Sequence, residues 1–121
     1  MNGNIIIARP LKIPGLLHYG ILFEDDGVLY VLHNTPFRGA VADPLDDFLK
    51  SRKKVLVKSS RLSGRSTQEI LFRFESCPHQ YHLLNYNCEH FIDCMLSQPY
   101  QSPQLVRALV ISGILGFSLL T

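Results

Sequence analysis

Apolar residues in this chain come in short runs, cut apart by proline, glycine and aspartate. Residues 5–8 (Ile5, Ile6, Ile7, Ala8) predict a short strand, and Pro10, Pro14 and Gly15 after them predict a loop. Residues 17–24 and 28–33 are two runs of strand formers on either side of Asp25, Asp26 and Gly27. Asp-Gly between two such runs predicts a β-hairpin, because the tight turn needs positive φ. Asn34, Thr35 and Pro36 close it. Asp43 before Pro44 reads as an N-cap with proline at the first helical position, giving a short helix over about residues 44–51. Residues 55–58 predict another strand, and residues 60–66 a polar loop around Gly64. Ile70, Leu71 and Phe74 mark the inner side of a helix over residues 67–76, stopped by Cys77 and Pro78. A second helix starts near Asn87 and ends before Pro99, and residues 105–121 are almost wholly apolar.

The turn also sets a register. A two-residue loop at Asp26-Gly27 pairs Asp25 with Val28 and puts His33 opposite Gly20. Side chains alternate along a strand, so His18 shares the face of Gly20 and becomes a diagonal neighbour of His33. Gly20 between them leaves room for two imidazoles. A three-residue loop would place them on opposite faces, each an ordinary polar strand residue.

Asn87 is a good N-cap, which makes Cys88 the first helical residue. The partial positive charge of a helix N-terminus favours thiolate over thiol. Cys88, Phe91, Ile92, Met95 and Leu96 follow helical spacing and form one inward stripe, with Glu89, His90 and Asp93 expected on the opposite side. His90 is then a poor base for Cys88, since residues two apart on a helix do not face each other. A thiol nucleophile needs an imidazole in hydrogen-bond reach and a third group to orient that imidazole. His18, His33, His79 and His82 are the candidates, and the hairpin brings the first two together. The competing reading of Cys88 is a small core residue.

With 121 residues the chain fits one domain, and a net charge of +2 does not argue for a nucleic-acid partner. Seven cations, Lys50, Arg52, Lys53, Lys54, Lys58, Arg61 and Arg65, fall within residues 50–65. That patch suits an anionic lipid surface or, more plainly, a solvated helix end and loop. Cys77, Cys88 and Cys94 are an odd set, and residues 1–9 have no charged segment ahead of a long apolar run. These features predict no disulfide framework, no secretion signal and a reducing, cytoplasmic setting. Cys77, His79, His82, Cys88 and His90 match no common zinc spacing, so neither metal nor cofactor is expected.

Tyr81, Leu83 and Leu84, the block Asn87-Cys88-Glu89-His90-Phe91-Ile92, and Cys94 resemble the signature of lecithin retinol acyltransferase-like proteins, a family that includes the HRAS-like suppressor phospholipases. His18-Tyr19-Gly20-Ile21 is similar to the family's first histidine motif, and His33 stands where its second histidine closes the next strand. Asp46-Asp47-Phe48-Leu49 with the following basic run, and Ser102-Pro103-Gln104-Leu105 before the apolar tail, are similar too. The spacing from His18 to His33 is longer than the family's, the tail is shorter, and neither Ser97 nor Gln98 is the family's glycine.

The resemblance implies an α+β fold, an antiparallel sheet packed against helices in a circularly permuted papain-like order. Residues 1–104 would form the catalytic domain and residues 105–121 an apolar tail helix. It implies Cys88 as nucleophile, His18 as general base and acid, and His33 as the orienting residue. The expected activity is thiol acyltransferase or phospholipase-type acyl hydrolase chemistry on lipid esters or amides, with membrane contact through the tail and residues 50–65. Two rivals stand beside it: an amidase or peptidase of the related NlpC type, and a non-catalytic interaction module on the same fold.

Overall fold

A computed structural model describes residues 1–13, 15–83 and 87–96. The apolar tail and the residues just before it lie outside these. The chain forms a five-stranded antiparallel sheet and three helices, a mixed α+β fold. The strands are β1 (Ile5–Pro10), β2 (His18–Asp25), β3 (Val28–Thr35), β4 (Gly39–Pro44) and β5 (Arg52–Lys58), and the helices α1 (Leu45–Phe48), α2 (Thr67–Ser76) and α3 (Cys88–Met95). The sheet order is β4-β3-β2-β1-β5, so all but the last neighbour are sequential.

The hairpin expected at Asp26-Gly27 forms in the expected register, with Asp25 paired to Val28. Both turn residues have positive φ, 52° and 77°, as a tight hairpin turn demands. Strand β4 was not anticipated. Apart from Val41 its residues, Gly39, Ala40, Ala42, Asp43 and Pro44, are poor strand formers, and pairing with β3 supplies what propensity lacks. The expected helix over residues 44–51 shrinks to Leu45–Phe48, and Asp43 does not cap it.

Alternation divides the sheet into two faces. Ile5, Ile7, Ile21, Phe23 and Leu32 pack with Ile70 of α2 and with Phe91, Ile92 and Met95 of α3. Ile6, Ala8, Leu22 and Val31 on the other face pack with Phe48 of α1. Helix α2 is capped by the Ser66 side chain and ends at Cys77, as read from the sequence. Its end is joined to α3 by a disulfide between Cys77 and Cys94, with Cα atoms 6.1 Å apart. That departs from the expectation of no disulfide: the two helices place the pair within bridging range, which spacing along the chain does not show. Cys88 remains the free thiol.

Candidate active site

Strands β2 and β3 are paired over only part of their length. Their ladder runs from Asp25↔Val28 to Ile21↔Leu32 and goes no further. Beyond it, β2 still pairs with β1 as far as Ala8↔His18, and β3 with β4 as far as Thr35↔Gly39. Each strand is thus held from outside, while the ladder between them has a gap over residues 18–20 and 33–35. Leu22 exchanges backbone hydrogen bonds with Gly3 and Asn4 on the β1 side. Backbone polarity alternates along a strand, so the amides and carbonyls of Leu17 and Tyr19 point the other way, into the gap.

Helix α3 brings Cys88 to that gap. Asn87 caps the helix, its side-chain oxygen accepting from the amides of Glu89 and His90, and His90 Nδ1 accepts in return from the Asn87 amide at 3.1 Å. The Cys88 thiol points to the Leu17 carbonyl oxygen, Sγ···O 4.0 Å. Glu89 and His90 are buried, at 8% and 6% exposure. That corrects the expectation that they face away from the domain: α3 is covered at its first turn on more than one side. His90 serves the cap, and its ring nitrogen is committed to backbone.

His18 and His33 lie on one face of the hairpin, as the register predicted, with His18 Nε2 and His33 Nδ1 2.8 Å apart. A Cβ on Gly20 would collide with the Val31 side chain and come within 3.5 Å of His33 Cβ, so glycine holds the space beside the pair. His33 is fully buried, and its Nε2 lies 2.7 Å from Asp43 Oδ2. Asp43 was read from the sequence as a helix cap. Its carboxylate instead accepts two hydrogen bonds from the Arg38 guanidinium, at 3.0 and 2.6 Å, and joins the histidine pair. The signal that locates it is the second hairpin's register: Val31 pairs with Asp43 and His33 with Val41, so Asp43 is diagonal to His33 just as His33 is to His18.

The direction of this chain of bonds follows from charge. Hydrogen bonding by Arg38, partly opposed by burial, holds the Asp43 carboxyl down at about 2, so it accepts only. His33 therefore donates from Nε2. Burial is the largest cause lowering its pKa to about 4, with the Asp43 hydrogen bond working against it, so at neutral pH the ring is uncharged and its Nδ1 carries a lone pair. His18 must then donate from Nε2 to His33. Its pKa is lowered to about 3, first by burial and then by the charges of His33 and Arg52. His18 is left with a lone pair on Nδ1. This tautomer is assigned from the hydrogen-bond network, and it makes Nδ1 the nitrogen available to a thiol proton.

The helix N-terminus does not leave Cys88 ionised at rest. Burial pushes its pKa up to about 11, outweighing the amides of Tyr19, Cys88 and Glu89 that pull it down, and the Glu89 charge adds to the rise. The expectation of a resting thiolate is thereby corrected: at a buried position desolvation exceeds the helix-end field. Among the described residues the thiol is bonded to the Leu17 carbonyl and to neither imidazole. His79 sits elsewhere, bonded to the Phe74 carbonyl at 2.8 Å and stacked on the Phe74 ring.

Beside the gap a cleft of about 470 Å³ runs along α3, lined by Ile5, Tyr19, Lys58, Glu89, Ile92 and Asp93 among others. Tyr19 and Glu89 belong to both cleft and thiol surroundings, since the Cys88 and Glu89 charges each act on the Tyr19 hydroxyl after burial has raised its pKa.

No protein-family model matches the chain, and neither a curated protein nor a solved structure matches it.

Proposed function

We propose that this chain is a thiol acyltransferase or phospholipase-type acyl hydrolase of the lecithin retinol acyltransferase-like kind, on a circularly permuted papain-like fold. The observation that carries the reading is the polarised chain Asp43–His33–His18, ending one residue from the Leu17 carbonyl that holds the only free thiol among the described residues. An interaction module has no use for a buried lone pair oriented by two further groups.

In this mechanism the Cys88 proton passes to His18 Nδ1 as sulfur attacks an ester or amide carbonyl. The new C–S bond forms while the carbonyl electron pair moves to oxygen. Amides of Cys88 and Tyr19, which favour negative charge at this place, receive that oxygen. Collapse breaks the bond to the leaving alcohol or amine, which takes the proton from His18. Water, an alcohol or an amine then gives a proton to His18 and attacks the acyl-thioester, restoring the thiol. Thiol and imidazole are both neutral at rest, so the proton leaves sulfur for His18 only as the C–S bond forms.

The cleft walls give an acyl or leaving group apolar cover at Ile5, Ile92 and Leu96. Membrane association in a cytoplasmic setting is part of the same reading: on the edge strand β5, Lys53, Lys54 and Lys58 are exposed beside exposed Val55 and Leu56. No helix among the described residues is long and apolar enough to cross a membrane. The test is intact mass after incubation with phospholipid vesicles or an activated ester. An acyl adduct that maps to Cys88 and disappears with added acceptor supports the reading; absence of any adduct with either reagent refutes it.

A further inference from the structure

Arg52 belongs by sequence to the basic run, yet it is half-buried while Lys53 and Lys54 beside it are exposed. From the first position of β5 its guanidinium covers the Phe48 ring, 4.8 Å from the centroid, and donates from Nη1 to the Phe48 carbonyl at 3.2 Å. Phe48 is fully buried and touches both imidazoles. It stacks on His18 with centroids 5.8 Å apart and meets His33 edge-on at 5.0 Å. Arg52 is therefore one aromatic ring away from the pair. Among the described residues no carboxylate forms an ion pair with it, since Asp43 is taken by Arg38 and His33. Its counter-charge is the Asp43 carboxylate beyond ion-pair distance, and a half-buried cation so placed acts strongly on what titrates beside it.

We propose that Arg52 is a positioning residue of the Cys88 site, a fixed cation that acts on the imidazole pair across the Phe48 ring and keeps its proton affinity low. This rests on the acyl-enzyme reading above. The groups facing the pair are Asp43 on β4, Arg38 in the turn between β3 and β4, and Arg52 on β5. Helix α1 contributes the Phe48 ring, its Asp46 and Asp47 being exposed. Asp43 and Arg52 pull in opposite senses: the carboxylate favours a proton on His33, while the guanidinium disfavours one on either ring. The imidazolium formed during attack is thus an acid that surrenders its proton readily to the leaving group.

The test uses the full chain carrying Arg52→Met or Arg52→Lys, with two readouts: imidazole titration by nitrogen NMR, and the rate of Cys88 alkylation by iodoacetamide at pH 8. In Arg52→Met the histidine titration should move up by about one pH unit, and alkylation should quicken about threefold, since a more basic His18 takes up the thiol proton more readily. Arg52→Lys should stay near the parent in both. If Arg52→Met does not fold, Arg52→Gln takes its place with the same expectation. An unmoved titration in a folded neutral variant overturns the proposal, and so does a lysine variant as altered as the neutral one, since then packing rather than charge is at work. Neither readout requires turnover. A failure here leaves the acyl-enzyme reading standing, and a missing acyl adduct with shifted imidazoles sinks that reading alone.

Discussion

On one face of the sheet Ile5, Ile7, Ile21, Phe23 and Leu32 meet two helices; on the other Ile6, Ala8, Leu22 and Val31 meet little more than Phe48. The first face buries apolar surface against apolar surface and needs no further device. The second has a four-residue helix as cover, with Leu45, Leu49 and Val57 packed around Phe48, and at the gap end its buried positions are His18 and His33. A polar group can be buried there only if each member satisfies the next. Asp43, His33 and His18 do so, and the outermost nitrogen is left reactive. One set of strands supports both arrangements because neighbouring residues face opposite ways. The thiol belongs to a helix of the apolar face and lies against the start of β2 at the Leu17 carbonyl.

If the faces are divided in this way, site variants on the gap side should abolish activity and leave folding intact. Cys88→Ala and His18→Ala should each lower acyl turnover by about 10⁴-fold or more, because nucleophile and base act as a unit. Both should keep cooperative unfolding. Turnover within tenfold of the parent in either variant would remove the relay from the mechanism.

The apolar face should behave in the reverse manner. Phe91 is fully buried between sheet and helices and has the Phe74 ring edge-on at 6.0 Å. Phe91→Ala should cost about 3–5 kcal/mol of stability through lost burial and the cavity left behind. Denaturant midpoints measure it. A loss under 1 kcal/mol would mean that α3 is not seated as described.

Much of this division could be read in the sequence, and what could not has identifiable causes. Asp26-Gly27 specified one turn, that turn one register, and the register the His18–His33 pair. The N-cap at Asn87 and the stripe through Met95 likewise follow from local rules. Asp43 was hidden because Gly39 to Pro44 has a single strand former, Val41, and because aspartate before proline is also a helix-cap pattern. The role of Arg52 was hidden by its cationic neighbours, since burial of one cation in a run depends on the ring beneath it. The Cys77–Cys94 link and the raised pKa of Cys88 depend on packing between elements, which no local pattern encodes.

Asp43→Asn comes next in size. It should reduce turnover about a hundredfold, because an amide can present either an oxygen or an N–H to His33 and no longer fixes the tautomer. Stability at neutral pH should fall by much less than for Phe91→Ala. The measurement is kcat beside the unfolding midpoint, and a stability loss matching Phe91→Ala would make Asp43 a structural residue rather than an orienting one.

The smallest effect is on pH dependence, and its sign follows from burial. His18 and His33 titrate near 3 and 4 in the folded chain against an ordinary 6.5, so between those values the unfolded chain binds more protons. Their contribution is complete above about pH 6.5 and is lost as the pH falls toward 4 and 3. Asp43, lowered to about 2 from 3.8, behaves in the same direction but only in stronger acid. Stability should therefore decline between pH 6.5 and 4 by up to about 1.4 kcal/mol per pH unit for each histidine. The Asp43 term should enter only below that range. In His18→Gln, glutamine does not titrate, so about half of the decline should vanish. Urea unfolding of the parent and the variant at pH 7 and pH 5 makes the comparison. Equal slopes would show that His18 takes up its proton as readily in the folded chain as in the unfolded one. The gap side of the sheet would then be as open to water as any surface.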